Sequence, residues 1–259
     1  MPILAWVISF TLLGGLLSTL AAAVFLIVPA RMRAKSLPHL ISFATGALLG
    51  AALLGLLPHA IADAGTINLH TIGATVLVGI LAFFLLEKLV LWRHCHLDEC
   101  EAHGPQERHR TAASGTMILV GDGVHNLLDG MLIAAAFLTD VHLGVVTAVA
   151  VIAHEIPQEI GDLAVLLHAG MGRLRALMYN LFTGLAAVAG GVLAYFWFDA
   201  AEEIRPYVLA LAASSFLYIA VADLMPGLHR RIGARSSIAQ IVLIAAGVGV
   251  IYTTHSTLH

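Results

Sequence analysis

Residues 112–168 read AASGTMILVGDGVHNLLDGMLIAAAFLTDVHLGVVTAVAVIAHEIPQEIGDLAVLLH. Two apolar runs, about 112–138 and 142–168, are joined by a short turn around Asp140. Each is long enough to cross the roughly 30 Å hydrocarbon core of a bilayer as a helix. Yet the first carries Asp122, His125, Asn126 and Asp129, and the second carries His154, Glu155, Gln158, Glu159 and Asp162. An ionisable group at mid-bilayer costs several kcal/mol unless it faces a partner, water or an ion. Nine polar groups in two consecutive spans therefore predict a buried polar site inside a membrane protein.

The rest of the chain supports that setting. Of 259 residues, 59% are hydrophobic and only 11% charged, whereas a soluble domain carries about 25% charge. Further apolar runs at about 3–28, 39–61, 69–92, 174–198, 206–226 and 237–256 bring the expected spans to eight. The fold class is thus an all-α integral membrane protein, a single transmembrane domain over 1–259. The run from Pro2 to Val28 exceeds a signal-peptide core and lacks a basic leader, so it reads as a retained first helix.

Twelve of the thirteen basic residues fall on one face if eight helices alternate: Arg31, Arg33, Lys35, Lys88, Arg93, Arg108, Arg110, Arg173, Arg175, Arg230, Arg231 and Arg235. The excess of Lys and Arg marks the cytosolic side, which places both termini outside the cytosol. Arg205 shares the opposite face with Asp63, Asp140, Asp199, Glu202 and Glu203. A net charge of −3 argues against a nucleic-acid partner, and fourteen histidines favour metal. The loop 93–111 holds His94, Cys95, His96, Cys100, His103 and His109 among acids. On the cytosolic side its cysteines stay reduced, and it is either a metal-capturing segment or a solvated loop.

Spacing sharpens the polar site. Residues four apart share a helical face, which pairs His125 with Asp129 and His154 with Gln158, with Asn126 and Glu155 one position round. Counted from the shared turn, His125 and His154 both lie roughly 20 Å deep at 1.5 Å per residue. Imidazoles, carboxylates and an amide at one level form a mixed N/O shell suited to borderline divalent ions such as Zn2+, Fe2+ and Mn2+. Pro157 removes a backbone donor next to the cluster, and broken helices are common at ion sites in transporters. Gly123, Gly130 and Gly161 would let helices approach closely there. His59, Asp63, Asp122, Glu159, Asp162 and Asp223 extend a polar path toward the two faces. No resident cofactor is expected, the divalent metal being the transported substrate and the lipid bilayer the other partner. A metal-dependent intramembrane hydrolase is the rival reading, since His154-Glu155 begins like the zinc protease motif. That motif needs a second His at position 158, where Gln158 stands, and no Ser or Cys nucleophile accompanies it.

The runs His125-Asn126-Leu127-Leu128-Asp129-Gly130 and His154-Glu155-Ile156-Pro157-Gln158-Glu159-Ile160-Gly161-Asp162 resemble the helix 4 and helix 5 motifs of the ZIP (Zrt/Irt-like) divalent metal transporters. The second is most like the branch that reads His-Glu-x-Pro-His-Glu-x-Gly-Asp. Leu56 to Ala60, Leu86 to Lys88 and Ser214 to Pro226 are similar to helices 2, 3 and 7 of that branch. The resemblance implies eight helices, extracytoplasmic termini, frequent homodimers and movement of zinc, iron, manganese or cadmium toward the cytosol. A prokaryotic member, in a bacterial inner membrane, is expected. By position His125, Asp129, His154 and Gln158 match one metal site, and Asn126 and Glu155 a neighbouring one that shares Asp129 and Gln158. Gln158 replaces the His or Glu of relatives, Ala52 and Gly55 stand where polar residues are frequent, and near Ala187 no acid completes a second site. A single site is therefore better supported than a two-metal centre.

Overall fold

The computed structural model describes residues 2–64, 69–95, 107–199, 202–229 and 233–258, and among them the regular structure is entirely helical. Eight helices succeed one another. They are α1 (Ile3–Ile27), α2 (Ala30–Gly50, carried on through Ala51–Leu56 and Leu57–Asp63), α3 (Leu69–Cys95) and α4 (Glu107–Thr139). Then come α5 (Val141–His168), α6 (Arg173–Asp199), α7 (Arg205–Tyr218, carried on through Ile219–Leu224 and Met225–His229) and α8 (Ala234–Leu258). Seven are long and apolar enough to cross a membrane. The exception is α4, whose apolar run is interrupted by Asp122, His125, Asn126 and Asp129.

Helix α2 begins at Ala30 rather than near 39, because Arg31, Met32, Ala34 and Lys35 are strong helix formers and prolong the helix beyond its apolar run. The helices α3 and α4 likewise take residues 93–95 and 107–111 out of the expected loop. His96, Cys100 and His103 lie outside the described residues.

Two helices change pitch in mid-course. Ala51–Leu56 in α2 and Ile219–Leu224 in α7 are π-helical, and each stretch ends two residues before a proline, Pro58 or Pro226. A proline lacks an N–H and its ring crowds the carbonyl four residues back, and a wider turn relieves both problems. Pro157 has a milder effect than expected: α5 runs unbroken through it.

At the centre stands α5, packed on α1, α2, α4, α6 and α8. The most extensive interface joins α4 to α6. There Gly130 lies against the Ala187 backbone and Gly190 against the Leu127 backbone, so close that a Cβ at either position would overlap a carbonyl. Gly123 and Gly161 have no such neighbour: the first would meet only Thr183 at 3.8 Å, the second nothing. Large apolar side chains of α3 (Leu77, Leu81, Phe84), α6 (Phe182, Leu193, Trp197) and α8 (Ile238, Ile241, Val242) point outward. In a bilayer these are the lipid-facing surface. Hydroxyls such as Thr11, Ser42 and Thr45 bond back to carbonyls four residues earlier at 2.7–2.8 Å, so they stay satisfied without water.

The close crossing gives a direct expectation. Gly130→Ala should destabilise the detergent-solubilised protein by about 1–3 kcal/mol through overpacking, while Gly123→Ala should leave the melting temperature unchanged. Equal melting temperatures for both variants and the wild type would contradict this packing.

Candidate metal site

A single residue separates α4 from α5. The Oδ1 of Asp140 accepts hydrogen bonds from the backbone N–H groups of His142 at 2.8 Å and Leu143 at 3.0 Å, capping α5. This turn locks the two helices in antiparallel register. His125 is then about 14 residues from its end and His154 about 13, roughly 20 Å in each case.

At that level four side chains converge. His125 Nε2 lies 3.2 Å from His154 Nε2. Asp129 Oδ2 is 3.1 Å from His154 Nε2 and 3.7 Å from His125 Nε2. Glu155 Oε1 is 3.5 Å and 3.6 Å from the same two nitrogens. All four donors fall within 4.8 Å of one another. A tetrahedral zinc with bonds of about 2.0–2.2 Å separates its ligands by about 3.4 Å, so these spacings fit one small cation.

The second ring nitrogens support that polarity. His154 Nδ1 lies 3.2 Å from the Ala150 carbonyl, a contact it can make only as a donor, which leaves the Nε2 lone pair facing the cluster. Such a bond to an acceptor is how metal-binding histidines are oriented. The ring also meets Phe216 edge-on at 6.2 Å, which covers it from α7. His154, Asp129 and Glu155 are buried, whereas the His125 side chain is 25% exposed. His125 is therefore the most accessible of the four donors. Neither oxygen of Glu155 has a hydrogen-bond partner.

The two amides sit differently from the charged groups. Asn126 donates to Asp122 Oδ1 at 3.0 Å, and Gln158 donates to the same oxygen at 3.4 Å. Asp122 in turn groups with Glu155 and Glu159, one donor atom of each lying within 4.8 Å of the others. Farther along, Asp162 is half-buried and Asp223 exposed. Toward the other face, Asp63 is exposed and half-buried His59 has Nδ1 2.9 Å from the Gly55 carbonyl. The His59 ring faces that of His255 from α8 at 5.6 Å.

Two residues in this region were not anticipated from the sequence. Asn180, fully buried on α6, donates to the Glu159 carbonyl at 3.1 Å. A lone amide in an apolar span was its signal. His255 had none, since only the packing of α8 on α2 brings it to His59.

The model of the ZIP zinc transporter family matches residues 92–254, more than half of the chain. The chain belongs to this family. Among curated proteins it is 32% identical to zinc transporter ZIP13 of Pongo abelii over 95% of this chain and 77% of that protein. It is 30% identical to human ZIP13 over 95% of this chain and 80% of that protein, and 38% identical to the Drosophila melanogaster zinc transporter foi over 57% of this chain. The matched region spans 21% of foi, a much longer protein. These relatives are animal proteins, and they lend no support to the expected prokaryotic origin. Membership in a transporter family removes the hydrolase reading, and Gln158, bonded to Asp122, offers no second protease histidine.

Position 158 gives this ZIP protein a specific test. Gln158→His should exchange the amide–Asp122 bond for an imidazole beside the four donors. Zinc affinity should rise about tenfold while manganese, which prefers oxygen, changes little. Titration of the purified variant with both metals checks this, and unaltered affinities for both would place position 158 out of reach of the ion.

Proposed function

We propose that this ZIP protein transports zinc across the cell membrane toward the cytosol, through a site made by His125, Asp129, His154 and Glu155. The observation that carries the reading is the convergence of two imidazole nitrogens and two carboxylate oxygens at mid-span, where among the described residues no Lys or Arg pairs with them. Iron, manganese and cadmium fit the same mixed donor set and stand as secondary cargo. The basic residues support the direction: Arg31, Lys35, Arg173, Arg175 and Arg235 are exposed, and with eight alternating spans they fall on the side that the bias of Lys and Arg makes cytosolic. Both termini then lie on the far side. The lipid-facing surface leaves room for a homodimer, as in the wider family. Asn126 and Gln158 hold Asp122 beside the site and are available to the ion as amide oxygens.

Zinc uptake into proteoliposomes tests the site. His125→Ala/His154→Ala should abolish uptake while the protein still purifies as a monodisperse species, because both rings line the site more than they fill a core. Wild-type uptake by the double variant would remove the site from the mechanism.

Protons compete with zinc for the same donors, since imidazole binds metal only when neutral and carboxylate only when ionised. Uptake should fall as the outer pH drops from about 7 toward 5, because protons displace the ion from its donors. A rate independent of pH over that interval would contradict ligand deprotonation as a limiting requirement.

A further inference from the structure

A second pair of histidine rings meets where α2 and α8 finish, at the end of these helices opposite the exposed Arg31 and Arg235. His59 and His255 face each other with ring centroids 5.6 Å apart and planes at 73°. The central pair, His125 and His154, stands almost the same way, at 5.5 Å and 88°. Two imidazoles on one tetrahedral zinc, with Zn–N bonds of about 2.0–2.1 Å, have centroids about 5.2 Å apart. Either pair could share an ion after a very small adjustment. His59 Nδ1 lies 2.9 Å from the Gly55 carbonyl one turn back, which it meets as a donor, so that its Nε2 is an acceptor. The same kind of bond sets His154 on Ala150. Both outer rings are half-buried and within reach of water. Asp63, exposed and one turn beyond His59, shares its helical face. Both helices end here, and the negative end of a helix favours a cation.

We propose that His59 and His255, with Asp63 as a third donor, form a divalent-metal site that gathers zinc from solution at this end of the molecule and holds it before passage to the central cluster. The site stands on the ring geometry; its place in the route rests on the transport reading above. The two helices that carry it are locked together. A Cβ at Gly46 would overlap the Ile244 carbonyl and one at Gly247 the Phe43 carbonyl, so α2 and α8 cross at backbone contact and hold their ends in register. A dry layer separates this pair from the central donors. Leu56 and Ala60 of α2 and Leu143 and Val146 of α5 are fully buried, and a Cβ at Gly55 would meet the Leu143 and Val146 side chains at 3.4 Å and 3.5 Å. Val146 is itself about 12 Å along α5 from His154. An ion on His59 and His255 therefore waits on the solvent side of a closed apolar layer. Three protein donors with water in the fourth position keep it exchangeable.

Zinc binding to the full-length protein in detergent tests the site, and zinc uptake into proteoliposomes tests its role. His255→Phe keeps a flat ring in place and removes its nitrogens. The variant should bind its outer zinc about a hundredfold more weakly, and so hold one zinc fewer than the wild type, while the zinc held by the central cluster persists and shows that the protein is folded. His59→Phe should do the same, and His255→Cys, which returns a zinc ligand, should restore the ion. In uptake, His255→Phe should raise the half-saturation concentration several-fold and leave the maximal rate unchanged. Equal zinc stoichiometry in the wild type and both Phe variants overturns the site. A lost zinc with an unchanged half-saturation concentration overturns its place in entry, and a lower maximal rate at unchanged stoichiometry would show that the rings serve packing alone. The same comparison in the His125→Ala/His154→Ala background keeps the two sites apart: loss of one further zinc on adding His255→Phe supports the outer site even if the central histidines prove to have no part in transport.

Discussion

The hydrocarbon layer offers no water to a buried charge, and the arrangement of this molecule follows from that refusal. Asp129, Glu155 and Glu159 are buried at mid-span with no Lys or Arg beside them among the described residues. Uncompensated carboxylates in such a medium cost several kcal/mol each. Two imidazoles reduce that cost for Asp129 and Glu155, two amides reduce it for neighbouring Asp122, and in the proposed transport cycle the remainder falls to a passing cation. A fully compensated network would be more stable, and it would hold no ion. The orphan oxygens of Glu155 and Glu159 are thus the feature that separates a conduit from a structural core.

Placing four donors within reach of one ion demands precise register, which the rest of the fold provides. The Asp140 cap makes the α4–α5 connection so short that the two helices cannot slide. Gly130 and Gly190 let α6 press against the back of α4, and α5 is held on its remaining sides by α1, α2 and α8. The π-helical stretches in α2 and α7 lie in helices that flank this core. Wide turns are locally weaker than α-helix and commonly occur at functional places.

Much of this was legible in the sequence for definite reasons. In lipid a backbone must satisfy itself, so apolar runs of about 20 residues can only be helices, and eight runs gave eight helices. The equal depth of His125 and His154 was readable because their helices share a minimal turn, which converts sequence distance into height. The side-chain pairings were not readable. Helical spacing put Gln158 under His154, yet the amide turns to Asp122 across the helix pair, a choice set by two facing helices together. Asn180 and His255 come from helices remote in the chain, and nothing local marked their partners. Pro58, Pro157 and Pro226 look alike in sequence, although two accompany a π-helical stretch and the third leaves its helix continuous.

In the proposed mechanism zinc is bound by nitrogen and oxygen in the middle of the membrane, by His125, His154, Asp129 and Glu155. Zinc-edge X-ray absorption on the purified protein loaded with one equivalent of zinc measures this directly. The expected spectrum is that of a shell of N and O ligands at about 2.0–2.2 Å with the outer scattering of two imidazoles. A zinc–sulfur distance of about 2.3 Å would contradict it, because the only cysteines in the sequence, Cys95 and Cys100, are not among the residues of the proposed site.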